Sequence, residues 1–388
     1  MATLFKSQEW NTIMDTLNSD RTSFGLPDRE YGSILMASFN IRKLGSSRSR
    51  NARTWEFLAE VVKSFDIVAV QEIMDDLSGM QRLMELLGPE FELIVSDQTG
   101  VFPGEAGVGE RLGFIYRWSV VERTEVATDV TYDRTKVLNT IADNYDVFSE
   151  AMGPYASKYA AYMAGTSRSK PRLRMPMFLT FIRQPFCVSF RIAGNPGTKP
   201  YEFMAVNAHL YFGDYISDRR QEFDALMDWI TERVVLDHRA YYPNFLLLGD
   251  LNLDYDNPNT DRARIEPHLK TLNNRSGDEV NVYFPFLDPH PDRTGPFRTN
   301  ARMSETFDQI GLFSRDSRLP TFEDNSIMGQ DARGPDYGVF NFVELFSQAL
   351  LNAPFESLTG DAREDFLRRF QHKVSDHMPL WIRLPMPE

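Results

Sequence analysis

The chain has 388 residues, 42% apolar and 25% charged, and its 42 basic and 55 acidic side chains leave a net charge of −13. These proportions belong to a soluble globule and exclude a disordered, collagen-like or coiled-coil chain, while no run reaches the ~20 uncharged apolar residues of a membrane span. The one cysteine, Cys187, excludes an intramolecular disulfide and any zinc site built on cysteine pairs.

In chain order, MATLFKSQEW lacks the basic and apolar regions of a secretory signal, so a reducing cytoplasm is the expected compartment. Trp10, Ile13, Met14 and Leu17 predict an amphipathic helix over 7–18, followed by a polar, turn-rich stretch. Residues 1–32 read as an N-terminal appendage to a catalytic domain over 33–388. ILMASF (34–39) predicts a buried strand. Trp55, Leu58, Val61, Val62 and Phe65 predict a helix with Thr54 as its N-cap. IVAVQ (67–71) is the next strand, then a helix through Leu77 to Leu87, then strands FELIV (91–95) and LGFIYR (112–117). Residues 131–165 are partly helical. MFLTFI, CVSFRI and EFMAVNA (177–208) predict a three-stranded meander. Phe223, Leu226, Met227, Ile230 and Val234 mark a long helix, FLLLG (245–249) a central strand and PLWIRL (379–384) the last strand. Residues 254–304 and 315–340 read as loops or insertions. Alternating βαβ units and meanders imply a mixed-sheet, layered α/β domain.

Charge is unevenly spread. Residues 151–201 contain eight basic side chains and no acid, and residues 41–55 contain five and no acid. Two basic islands in an acidic chain suggest an anionic ligand at a restricted place.

A polar residue stands at the edge of strand after strand: Asn40, Glu72, Glu110, His209, Asp250 with Asn252, Asp308, and Asp376 with His377. Alone, the Asp and Asn residues are ordinary turn formers, and His209 reads as a satisfied interior histidine. Together they describe the rim where sheet proteins bind ligands. Asn40, Glu72 and Asp376 offer the hard oxygens that suit Mg²⁺ or Mn²⁺. Two histidines with further carboxylates suit proton transfer at phosphate. No G-x-S-x-G, HExxH or Walker A sequence competes, and GEAGVGE (104–110) lacks the Walker ending.

SFNIR (38–42), VAVQE (68–72), GERLGFIYR (109–117), NAHL (207–210), LLGDLN (247–252), TFDQI (306–310) and SDHMPL (375–380) follow one another in this order. The set resembles the endonuclease/exonuclease/phosphatase superfamily, most closely its deoxyribonuclease I-like members, over residues 33–384. The resemblance implies a four-layer α/β/β/α sandwich with two facing mixed β-sheets and Mg²⁺-dependent phosphoester hydrolysis at one end. It implies Asn40, Glu72 and Asp376 as metal residues. His209 and His377 would flank the phosphate, with Glu110 orienting His209 and Asp308 bonding one histidine. Asp250 would position or deprotonate water, and Asn252 and Arg174 would contact phosphate. Whether Asp250 or His377 takes the proton stays open. Two departures concern substrate: Met74 stands where such nucleases carry a groove-reading arginine, and Val108 where they carry a stacking tyrosine. DNA is the expected substrate, with a small-molecule or lipid-headgroup phosphoester as the alternative and a non-catalytic binding module as a third reading.

Overall fold

The computed structural model describes residues 5–100, 109–212, 215–235, 241–242, 244–253, 262–276, 280–287, 295–319 and 337–387. Its strands are β1 (Ser33–Leu44), β2 (Ile67–Ile73), β3 (Phe91–Val95), β4 (Arg111–Arg117), β5 (Glu122–Asp129), β6 (Phe186–Ile192), β7 (Tyr201–His209), β8 (Phe245–Asp250), β9 (Asn281–Tyr283), β10 (Asp308–Ser314), β11 (Tyr337–Val339) and β12 (Leu380–Pro385). They form two six-stranded sheets, in the orders β11-β12-β1-β2-β4-β3 and β5-β6-β7-β8-β10-β9. Each sheet is antiparallel except for one central parallel pair, β1 with β2 and β7 with β8. The sheets face each other with helices outside, as the sandwich expectation requires.

Period-two alternation explains why β8 sits at the centre. Leu246 and Leu248 enter the core between the sheets, while Phe245 and Leu247 enter the layer beneath the helix Ile216–Val235. Phe114 of the first sheet meets Phe186 and Phe190 of the second, with centroids 6.1 and 5.4 Å apart. A polar plug crosses this apolar layer. Gln71 donates to Ser38 Oγ at 3.2 Å and to Asn207 Oδ1 at 2.6 Å. Asn207 donates to the carbonyls of Val70 and Gly113 at 3.0 and 2.8 Å. Buried amides are retained at little cost only when so paired.

The N-terminal segment is part of the body. The helix Ser7–Ser19 buries Trp10, Ile13 and Leu17, and Trp10 packs on Phe57 and Phe346. Burying three such side chains contributes roughly 5–8 kcal/mol as an upper estimate. Asn51, not Thr54, caps the helix Ala52–Lys63, with its Oδ1 accepting from Thr54 N at 2.8 Å. Residues 177–182 are not a strand. Pro176 and Pro185 bracket them, and Phe178 and Phe181 instead clamp Tyr132. The meander therefore has two strands, and β5 at the sheet edge is an addition. Residues 131–165 form the helices Arg134–Asp143 and Tyr145–Met163, and the helix Ile265–Ser276 lies in what reads as loop. No described helix is long and apolar enough to cross a membrane.

Candidate active site

The carboxyl ends of both parallel pairs point to the same end of the sandwich. Asn40 lies opposite Gln71 across β1 and β2, and His209 opposite Asp250 across β7 and β8. Asp308 begins β10 directly opposite Asp250. Strand ends in register thus bring together residues 210 positions apart in the 3.1 Å hydrogen bond from Asn40 Nδ2 to Asp250 Oδ2.

Local backbone aims each group. The β2 register slips between Val70 and Ile73, and Glu72 adopts a left-handed φ of 58°. A bulge of this kind turns a side chain off its sheet face, and for a non-glycine residue the conformation costs on the order of 1–3 kcal/mol. Glu72 Oε2 accepts from Lys43 N at 2.9 Å, and Oε1 accepts from Asn40 at 3.2 Å. Gly249, at φ 151°, precedes Asp250, and a Cβ there would stand 1.9 Å from the Ala208 carbonyl oxygen. Only glycine lets β7 and β8 approach this closely.

Two histidines share one carboxylate. His209 Nδ1 lies 2.6 Å from Glu110 Oε1, and its Nε2 lies 3.6 Å from Asp250 Oδ2. His377 Nδ1 lies 2.9 Å from Asp308 Oδ2, and its Nε2 lies 3.5 Å from the same Asp250 oxygen. Burial opposes charging either imidazole, but the carboxylates outweigh it. Glu110 holds His209 above its ordinary value, and Asp308 with Asp250 holds His377 well above its own. Burial alone would raise Asp250, yet His377, His209 and the Asn40 amide hold it below the usual carboxylate range. The centre is a carboxylate between two imidazoles, each backed by a second carboxylate that favours its protonated form.

The neighbouring oxygens differ. Asn40 Oδ1 and Asp376 Oδ1 are buried acceptors with no hydrogen-bond partner. Burial raises Asp376, and the nearby Glu72 charge adds to the rise against His377 and Arg42. Arg42 pairs with Asp376 through its other oxygen. Unfilled hard oxygens beside a second carboxylate fit a divalent cation. Asp250, Asp308 and His377 also lie close enough to hold an ion. There, however, Asp308 and Asp250 favour the protonated form of His377, which disfavours a cation.

These groups open into a cleft of about 1040 Å³ lined by Glu72, Glu110, His209, Asp250, Asn252, Asp376 and His377, with Asn40 and Asp308 bonded just beneath. Asn252, at φ 53°, gives its amide to the Leu210 carbonyl at 3.0 Å, and its backbone N–H donates to Asp250 Oδ1 at 3.1 Å. Arg174 is not among the cleft residues. It is half-exposed, paired with Asp218 at 2.7 Å and stacked 3.8 Å over Tyr215. Arg183, by contrast, lines the cleft beside Arg42, Arg172 and Arg302; it is largely buried against Glu110 Oε1 at 3.1 Å and donates to the carbonyls of His209 and Leu210. The sequence signal for Arg183 was its position just before β6. It was obscured because residues 177–182 imitate a strand and make Arg174 look like the residue before one. Glu222 was missed too. It accepts from Ile182 N at 2.6 Å and Tyr211 N at 2.7 Å, holding both cleft loops. Met74 does not line the cleft, and Val108 lies outside the described residues.

Facing sheets with acid, amide and imidazole groups at one shared end define a phosphoester-hydrolase architecture. The chain belongs to the endonuclease/exonuclease/phosphatase family, whose profile matches residues 37–377, and it is a metal-dependent phosphoester hydrolase of that family. It is 26% identical over 363 residues to a deoxyribonuclease of Thioalkalivibrio sp. (strain K90mix), covering 92% of this chain and 72% of that one. It is 25% identical over 295 residues to deoxyribonuclease-1 of Oryctolagus cuniculus, covering 70% and 85%. The solved human Nocturnin catalytic domain is 10% identical with a TM-score of 0.47, covering 93% of this chain and 96% of that one.

Proposed function

We propose that this protein is a Mg²⁺-dependent endonuclease that hydrolyses DNA phosphodiesters. The observation that carries the reading is the single Asp250 oxygen shared by two carboxylate-backed histidines, at 3.6 and 3.5 Å. A phosphodiester brings two non-bridging oxygens, a leaving oxygen and an attacking water, and this arrangement has a counterpart for each. The depressed Asp250 carboxylate accepts the water's proton. The raised His209 and His377 present Nε2–H donors to the phosphate and to the departing oxygen. Glu110 and Asp308 accept from Nδ1–H and orient the two rings. Asn252, locked by Leu210, shapes the floor beside Asp250.

Asn40, Glu72 and Asp376 hold the cation, and Mg²⁺ fits their oxygen-only donor set. When bound, it offsets the charge that develops on the phosphoryl oxygens. Arg42, Lys43, Arg172, Arg183 and Arg302 around the cleft attract a polyanion despite the chain's net charge. The names of the curated relatives also favour DNA over a small phosphoester.

The test is supercoiled plasmid incubated with the protein and Mg²⁺, beside an EDTA control and Asp250→Asn. Metal-dependent nicking that Asp250→Asn abolishes is the expected result. Release of inorganic phosphate from phosphoinositides or nucleotides, with the plasmid intact, would transfer the reading to a phosphatase.

A further inference from the structure

The cleft wall continues outward as an unusual strip of chain. Arg172, Leu173, Ile182 and Arg183 line the cleft. From Ala151 to Tyr201 the chain carries no acid. Lys158, Arg168, Lys170 and Arg172 are exposed, and among the described residues none of the four forms an ion pair with a carboxylate. A basic strip without internal partners complements a polyanion.

The strip begins on a helix with no core of its own. Tyr145–Met163 buries only Phe148. Yet Tyr145, Phe148, Met152, Tyr155, Tyr159 and Tyr162 recur at alternating spacings of three and four and share one face. Within residues 151–163, Met152 is 41% and Tyr159 36% exposed, and Tyr155 and Tyr162 are half-buried. The tyrosines form a ladder, with Tyr155 and Tyr159 stacked at 5.8 Å and Tyr159 and Tyr162 6.3 Å apart. From Met163 the chain reaches Arg172 across nine residues, which span ~30 Å at most.

We propose that residues 151–172 form an arm that binds single-stranded nucleic acid leading to or from the cleft. The proposal rests on the nucleic-acid reading of that cleft. Basic side chains beside a partly exposed tyrosine ladder match a strand whose phosphates and base faces are both accessible. A duplex offers the phosphates alone, because its base faces are stacked on one another. An anionic lipid surface would also attract basic and apolar groups. Continuity of the strip with the phosphate cleft favours the polynucleotide.

The test measures binding in EDTA, where no cleavage occurs, by anisotropy of a labelled oligothymidylate and of a duplex of equal length. Tyr155→Ala/Tyr159→Ala/Tyr162→Ala is expected to weaken single-strand binding about tenfold and leave duplex binding unchanged. Lys158→Gln/Arg168→Gln/Lys170→Gln is expected to weaken both and to reduce the slope of log affinity against log salt by about 2 to 3. Both variants should hydrolyse bis(p-nitrophenyl) phosphate at the wild-type rate, which shows that fold and cleft are intact. If wild type cleaves DNA but both variants bind the oligothymidylate with wild-type affinity and salt slope, the arm is overturned and the cleft reading stands. If wild type hydrolyses the small diester but neither binds nor cleaves nucleic acid, both fall. Binding to phosphatidylserine vesicles that the tyrosine variant loses, with oligothymidylate binding unchanged, overturns the arm in favour of a membrane surface.

Discussion

The two halves of the site differ in how complete they are. Around Asp250 every imidazole nitrogen faces a carboxylate. Around Asn40, Glu72 and Asp376 two buried oxygens have no partner. In the first half the carboxylates face imidazoles and Arg183, although Asp308 Oδ1 is likewise a buried oxygen without a hydrogen-bond partner. The second is a polar arrangement that the chain leaves unfinished, which in a folded interior costs about 1–3 kcal/mol per group unless something else completes it. On the function proposed, the first half handles protons, and charge neutralisation at phosphate falls to a cation held by the second.

The sharpest way to break this division is to remove its shared anion. Asp250→Asn is expected to lower kcat by about 10³-fold or more, measured on plasmid or on a small diester at saturating metal. Recovery of full activity in that variant at high metal would show that Asp250 belongs to the cation half instead. A smaller and different loss is expected from Glu72→Gln. The metal concentration needed for half-maximal rate should rise by about 10- to 100-fold, with much of kcat restored at saturation. A metal titration separates the two outcomes.

Glu110→Gln tests the imidazole side alone. Without the carboxylate, burial dominates and His209 falls from its raised value. The imidazolium is then lost at lower pH, so the alkaline limb of the kcat/KM profile should move down, with about a tenfold rate loss at neutral pH. An unmoved limb would assign that ionisation to His377.

The smallest effect lies away from the cleft and calibrates the others. His268 stands 3.4 Å from both Asp224 and Asp228 and is raised to about 9, the two carboxylates outweighing the burial that would lower it. Its folded value exceeds its unfolded one, so the stability it contributes is complete below about pH 6.5 and is lost as pH rises through about 9. After solvent screening, His268→Gln should cost about 1 kcal/mol at pH 6 and nearly nothing at about pH 10, read from denaturant midpoints. A cost independent of pH would mean that the ring acts by packing.

The central groups were legible in the sequence for a physical reason. A strand that ends at a rim leaves an apolar run directly beside a polar residue, and Asn40, Glu72, His209, Asp250 and His377 all carry that mark. The fold class was legible through the same runs. What was hidden depends on contacts rather than on neighbours in sequence. Arg174 and Arg183 both precede apolar residues, and only the clamping of Phe178 and Phe181 on Tyr132 shows which one reaches the cleft. Gln71 and Asn207 read as ordinary polar residues, and their pairing at 2.6 Å across the sheets has no local signal. The N-terminal helix looked separable because a turn-rich stretch follows it, yet its tryptophan completes the core.

The Gln71–Asn207 pair has a consequence for recombination. Gln71 immediately precedes Glu72 and Asn207 lies two residues before His209, so this buried amide pair, with the Asn207 bonds to the Val70 and Gly113 carbonyls, helps set the baseline from which cation and proton groups are measured. A chimera that joined the front sheet of this hydrolase to the back sheet of a relative would inherit every reactive side chain. It would be an efficient catalyst only if the two amides travelled together, because a mismatched seam would offset the two half-sites from each other.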